Sequence, residues 1–205
     1  MHKKIALIAL LLTLICGTLA ARAQSLTAAD REKALNYLES TREGVIDATK
    51  GLSPAQWNFK PAPDRWSVAE CTEHIAAAEG LLLHGMIMEK VMKAPPRPPG
   101  EDVAAIDQMV LNAIPNRSHK AQAPDQLKPT NRFGSPEGSL KAFLETRRET
   151  EDFLRNTSDL RDHAVMSPIG KNLDAYEWVL YIAAHSERHT KQILEVKADP
   201  NFPKM

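Results

Sequence analysis

"SVAECTEHIAAAEGLLLHGMIMEKVMKAPP", residues 67–96, decides how this chain is built. Ser67 followed by Glu70 is an S-x-x-E capping box, in which two side chains satisfy free amides of a helix's first turn. Pro95 and Pro96 close the stretch, because proline has no amide hydrogen and its ring forces the preceding residue out of helical geometry. The residues between predict one helix from Ser67 to Ala94. Beyond it, 41 residues from Pro95 to Ser135 carry seven prolines and few apolar positions. One short helical pattern, "DVAAIDQMVLNAI", interrupts them. A helix of about 26 residues is roughly 39 Å long, which such a crossing spans with ease. The next long helix is therefore free to run parallel to this one.

The same reading extends in both directions. Upstream, "TAADREKALNYLESTREGVIDATKG" predicts a helix capped by Thr27 and Asp30, with Leu35, Leu38, Val45 and Thr49 on one face and Gly51 as its stop. The link "LSPAQWNFKPAPDRW" reads as irregular, with Trp57, Phe59 and Trp66 closing one end of the core. Downstream, Pro136 opens a helix carrying Leu140, Phe143, Leu144, Phe153 and Leu154. Asp174 and Glu177 make another capping box for a last helix reaching about Lys197. No segment alternates with period two over a useful length. The fold expected is all-α, a four-helix bundle with a long crossover between the second and third main helices.

The first residues belong to a different problem. "MHKKIALIALLLTLICGTLAARAQ" has a basic start, a short apolar middle and the small-x-small ending Ala21, Arg22, Ala23. This predicts an export signal over residues 1–23, and a bundle domain over 24–205 that is periplasmic or secreted. The apolar run is shorter than the ~20 residues that span a bilayer comfortably, so no stable membrane insertion is expected after cleavage. An uncleaved anchor is the alternative. The leader holds Lys3, Lys4 and Arg22 and no acid, leaving 23 basic against 26 acidic groups. That balance argues against a nucleic-acid partner, which favours a basic stripe. Only Cys71 remains after cleavage, so no internal disulfide forms.

Chemistry concentrates in the last helix, where "YIAAHSERHTKQILEV" (181–196) places His185 and His189 four residues apart on one face. An imidazole pair at this spacing grips a metal ion or simply lines a helix interface. A third histidine would separate the two. His119 and His163 fall in polar, irregular stretches and read as solvated; His84 is helical. His74 lies on the face of its helix that carries Cys71 and Ala78, opposite Glu73, and reads inward. Alone it would be a core histidine with one hydrogen bond. Three neutral imidazoles from two helices suit Zn, Ni, Fe or Mn and leave coordination positions open. The pattern is not H-E-x-x-H, since Glu187 sits about 200° around the helix from His185. Gln192 is placed to support His189, Trp178 and Tyr181 to wall a pocket, and Cys71 to pack in the core. No residue is assigned a catalytic role.

Two stretches carry a resemblance. "GLSPAQWNFKPAPDRWSVAECTEHIAAAE" resembles the P-x-x-x-x-W-S-x-x-E run of the DinB-like (DinB/YfiT) superfamily, which leads into a helix bearing one metal histidine. "YEWVLYIAAHSERHTKQI" resembles that superfamily's last-helix motif. The resemblance implies a four-helix bundle, often a homodimer, with a divalent metal ion held by His74, His185 and His189. It also implies a metalloenzyme, and its characterised members include thiol-dependent transferases and an isomerase using small thiol cofactors; the function expected here is an exported metal-dependent hydrolase or group transferase acting on a small-molecule substrate. The export signal departs from those members, since such thiols are chiefly cytosolic. A non-catalytic metal-binding or stress-response bundle is the alternative.

Overall fold

The computed structural model describes residues 25–118 and 122–204. The expected leader, residues 1–23, and His119 lie outside them. Four long helices form the bundle: α1 (Ala28–Thr49), α3 (Val68–Gly80), α5 (Pro136–Asn156) and α6 (Ala175–Lys197). Two shorter ones, α2 (Pro54–Asn58) and α4 (Val103–Ala113), sit in the connections. The three capping boxes are formed as the sequence requires, by Thr27 with Asp30, Ser67 with Glu70, and Asp174 with Glu177. Gly51, with φ +70°, turns the chain after α1.

Side-chain contacts fix the helix directions. Tyr176 Oη donates to the Asp30 carbonyl, Tyr37 Oη to Glu187, and Lys197 Nζ to the Ala48 carbonyl, so α1 and α6 rise together. Ala69, Glu70 and Glu73 of α3 share a cleft with Ser135, Pro136 and Ser139, while Glu79 meets Arg147 further along. Thus α3 and α5 are parallel to each other. In α3 and α6, His74 faces His189 while Glu79 approaches Ser186 through Arg147, so this pair is antiparallel. The order is up-down-down-up, and the proline-rich crossing is what permits it.

Four local departures have physical causes. The helix from Ser67 reaches Lys93, but only its first half is α-helical. Leu81–Met88 winds as a π-helix and Val91–Lys93 as a 3₁₀ turn. "LLLHGMIM" is apolar almost all round, so its sequence has no period to oppose a wider winding. The first link contains α2, capped by Ser53 and Gln56 in a further capping box. Residues 164–166 (β1) and 172–174 (β2) pair as a short antiparallel ribbon. His163 is half-buried and bridges to Pro96, with its Nδ1 buried and unpartnered among the described residues, so it is not the solvated histidine expected.

The core has two apolar clusters. One gathers Leu38, Leu83, Ile87, Val110, Leu154, Trp178 and Leu180; the other gathers Val45, Val68, Cys71, Ile75, Phe143 and Ile193. Fully buried Arg147 links all four long helices. It makes a two-pronged pair with Glu79 at 2.5 and 2.8 Å and donates to the Leu38 carbonyl, Thr41 and Ser186. At the start of α6, Arg97 and Arg161 close in the same way over Asp107, Asp174 and Glu177. Among the described residues no helix is long and apolar enough to cross a membrane.

Candidate metal centre

α3 and α6 meet where their inward faces each present histidine. His74 follows Cys71 by one turn, and both are buried on the face that packs against α6. Glu73, one residue earlier, looks the other way. Its carboxylate accepts the backbone amides of Thr130, Asn131 and Arg132, at 2.8, 2.8 and 3.1 Å, and so ties the crossing down beside the site. Glu73 is buried in this role rather than lying on an outer polar face.

The three imidazoles converge. Each of His74, His185 and His189 offers a ring nitrogen within 4.8 Å of the other two. His74 Nε2 and His185 Nε2, 111 residues apart in sequence, are 3.2 Å apart. Ring centroids lie 5.0 Å apart for His74 and His185, 4.4 Å for His74 and His189, and 4.5 Å for His185 and His189. His74 and His189 are buried, and His185 is half-buried.

Outer contacts choose the tautomers. His74 Nδ1–H donates to the Leu127 carbonyl at 2.9 Å, and His189 Nδ1–H donates to Gln192 Oε1 at 2.9 Å. With both protons committed outward, the Nε2 lone pairs face inward. All three rings are held neutral. Burial is the main cause throughout. It pushes His185 down to about 3, with His74 and Arg188 adding repulsion, and holds His189 well below the usual range with help from His185 and His74. For His74 the Leu127 carbonyl opposes burial without cancelling it. Neutral nitrogens at this separation match a metal's needs, since two ligands about 2.1 Å from one ion in tetrahedral geometry lie roughly 3.4 Å apart.

Of the two expected walls, Tyr181 is in place and Trp178 is not. Trp66 closes the site, with its ring 4.8 Å from His74 and stacked at 6.1 Å on His189. Tyr181 stacks on His185 at 6.4 Å. Trp178 is buried in the core, its ring 5.1 Å from that of Tyr181. Gln192 takes the supporting place expected of it. Glu187 binds Tyr37 and Lys191, away from the cluster. Cys71 is buried, with its thiol pushed far up by burial, and packs rather than ligates. His84 pairs with Glu149 on the exposed surface, apart from the site. The Leu127 carbonyl was invisible in the sequence because a backbone acceptor has no residue signature. Trp66 is the tryptophan of the P-x-x-x-x-W-S-x-x-E run, and that motif position is its signal in the sequence.

Residues 37–193 match the model of the DinB superfamily. The chain belongs to that superfamily. It is 27% identical over 165 residues to the uncharacterized protein YuaE of Bacillus subtilis strain 168, an alignment covering 80% of this chain and 96% of that one. Its fold is similar to that of YfiT from Bacillus subtilis, with a TM-score of 0.54 and 16% identity over 85% of this chain and 89% of the other. YfiT is described as a probable metal-dependent hydrolase with an unusual four-helix bundle topology.

Proposed function

We propose that this DinB-superfamily protein is an exported metal-dependent enzyme, a hydrolase or group transferase, with one divalent ion held by His74, His185 and His189. The observation that carries the reading is the convergence of three neutral imidazoles whose outer nitrogens are already engaged (His74 and His189) or whose ring is stacked in place (His185). YfiT's description as a probable metal-dependent hydrolase supports it at the level of fold. The basic and apolar leader over residues 1–23 supports export.

A bound ion of this kind supplies Lewis acidity, polarising a substrate oxygen or thiol and favouring deprotonation of a coordinated nucleophile at neutral pH. The chain's own residues do the rest. His74 and His189 present their Nε2 lone pairs because Leu127 and Gln192 hold their Nδ1 protons. Trp66 and Tyr181 shield the rings from water on two sides. No carboxylate joins the histidine cluster among the described residues, so the ligand set is neutral and leaves the ion's full charge for the substrate.

Elemental analysis of the untagged mature protein tests this. One divalent ion per chain is expected, lost in a His74→Ala variant. Equal metal in both would remove His74 from the site, and no metal in either would end the reading.

A further inference from the structure

We infer that Arg117, in the crossing, is a positioning residue that sets the tautomer of His189 by fixing which way the Gln192 amide faces. The inference rests on the proposed metal reading for its purpose, but not for its geometry.

The two outer contacts of the cluster are unequal. The Leu127 carbonyl on His74 belongs to the backbone and can only accept. Gln192 ends in an amide, whose oxygen and nitrogen exchange places on a half-turn about the terminal bond. With the oxygen toward His189, Nδ1 carries the proton and Nε2 is a ligand. With the NH₂ toward His189, Nδ1 must accept, the proton moves to Nε2, and the ring can no longer bind a metal through that atom. This tautomer therefore needs something to hold the amide.

Arg117 supplies it. Its Nη1 lies 3.3 Å from Gln192 Oε1, the atom that also accepts from His189 Nδ1. A guanidinium only donates, so it is compatible with the oxygen at that place and repels the NH₂. Arg117 is itself held by a forked pair with Glu195, Nε to Oε1 and Nη2 to Oε2, each 2.7 Å. Gln192 and Glu195 are three residues apart on α6, so one arginine from the crossing reads both. The chain of contacts runs Glu195, Arg117, Gln192, His189. With Leu127, the crossing thus supports a histidine on each of the two helices.

The test compares wild type with Arg117→Met, Glu195→Gln and the double variant Arg117→Met/Gln192→Glu. A carboxylate at 192 accepts whichever way it turns, so it should make Arg117 dispensable. Long-range ¹H–¹⁵N correlation spectra of metal-free protein at pH 8 report the tautomer, with His189 assigned from a His189→Ala control. Zinc affinity is measured by chelator competition. Wild type should show the proton on Nδ1 alone. Arg117→Met should show a mixture and bind zinc about three- to tenfold more weakly, less than the 10–100-fold typical of removing a ligand's direct partner. Glu195→Gln should move both readouts the same way by less, which covers a failure of Arg117→Met to fold. The double variant should restore both. A single Nδ1–H tautomer in Arg117→Met, or an Nε2–H tautomer in wild type, overturns the inference. If wild type binds no zinc while the tautomer still shifts, the metal reading fails and the positioning role stands.

Discussion

Two halves of α6 bury polar groups in opposite ways. Its first turn lies in a closed network, where Asp174 and Glu177, both fully buried, are met by Arg97 and Arg161. Arg147 and Glu79 repeat the arrangement at mid-bundle, with side chains 0% and 1% exposed. Every charge there has a partner of opposite sign. From the middle of the helix onward, His185 and His189 turn toward His74, and three imidazoles meet with one hydrogen bond, between His185 Nε2 and His74 Nε2, linking them. A buried cluster whose donors and acceptors cancel holds structure together. One whose inward ring nitrogens outnumber the protons between them has lone pairs left over, and that is where a ligand belongs.

The sharpest way to break the comparison is in the closed half. Arg147→Ala leaves Glu79 buried without its cation and strips two hydroxyl groups of their donor, and should cost about 3–5 kcal/mol of stability. Urea denaturation would measure it. A loss under ~1 kcal/mol would mean the mid-bundle pair is not closed as described. His185→Ala should do the reverse. It should abolish metal binding yet leave the metal-free protein within about 1 kcal/mol of wild type, because it also removes a crowded ring. Chelation then separates an enzyme from a clamp. An open catalytic site predicts a small fall in Tm with loss of turnover, whereas a structural clamp predicts a large fall.

Acid sharpens the contrast further. The imidazoles titrate below their ordinary 6.5 in the fold, His185 at about 3. Well above pH 6.5 neither folded nor unfolded rings carry the proton, and they add no pH dependence. As pH falls from there toward 3, the unfolded chain takes up protons that the folded one refuses, so stability declines. Metal-free wild type should lose more stability between pH 7 and 5 than a His74→Ala/His185→Ala/His189→Ala variant, measured by denaturation at each pH. Equal losses would place the rings in solvent. The smallest effect belongs to Cys71, whose thiol should resist alkylation at pH 8 in folded protein and whose Cys71→Ala variant should keep its full metal content.

Much of this was legible because it is local. A capping box spans four residues, a proline stop two, and a histidine pair one turn; so α1, α5, α6, the start of α3 and the pairing of His185 with His189 could all be read from short windows. The crossing's length exposed the freedom for α3 and α5 to run parallel. What stayed hidden needed partners far away in sequence. Nothing near Arg147 announces Glu79, 68 residues off, and nothing near His74 announces the Leu127 carbonyl. Trp66 reads as a core aromatic from its link alone, and its place over His74 and His189 shows once α3 and α6 are packed together. The π-helical turn was hidden for the opposite reason, since a segment apolar all round has no face to read. Ser53 with Gln56 is a capping box of the same local kind, set among the prolines of the first link.

X-ray absorption at the metal edge of the purified, untagged protein tests the central claim most directly. Three histidine nitrogens at about 2.0–2.1 Å, with any remaining ligands oxygen, are predicted. Sulfur in the first shell, fewer than three imidazoles, or no bound metal at all would contradict the convergence of His74, His185 and His189 on one ion.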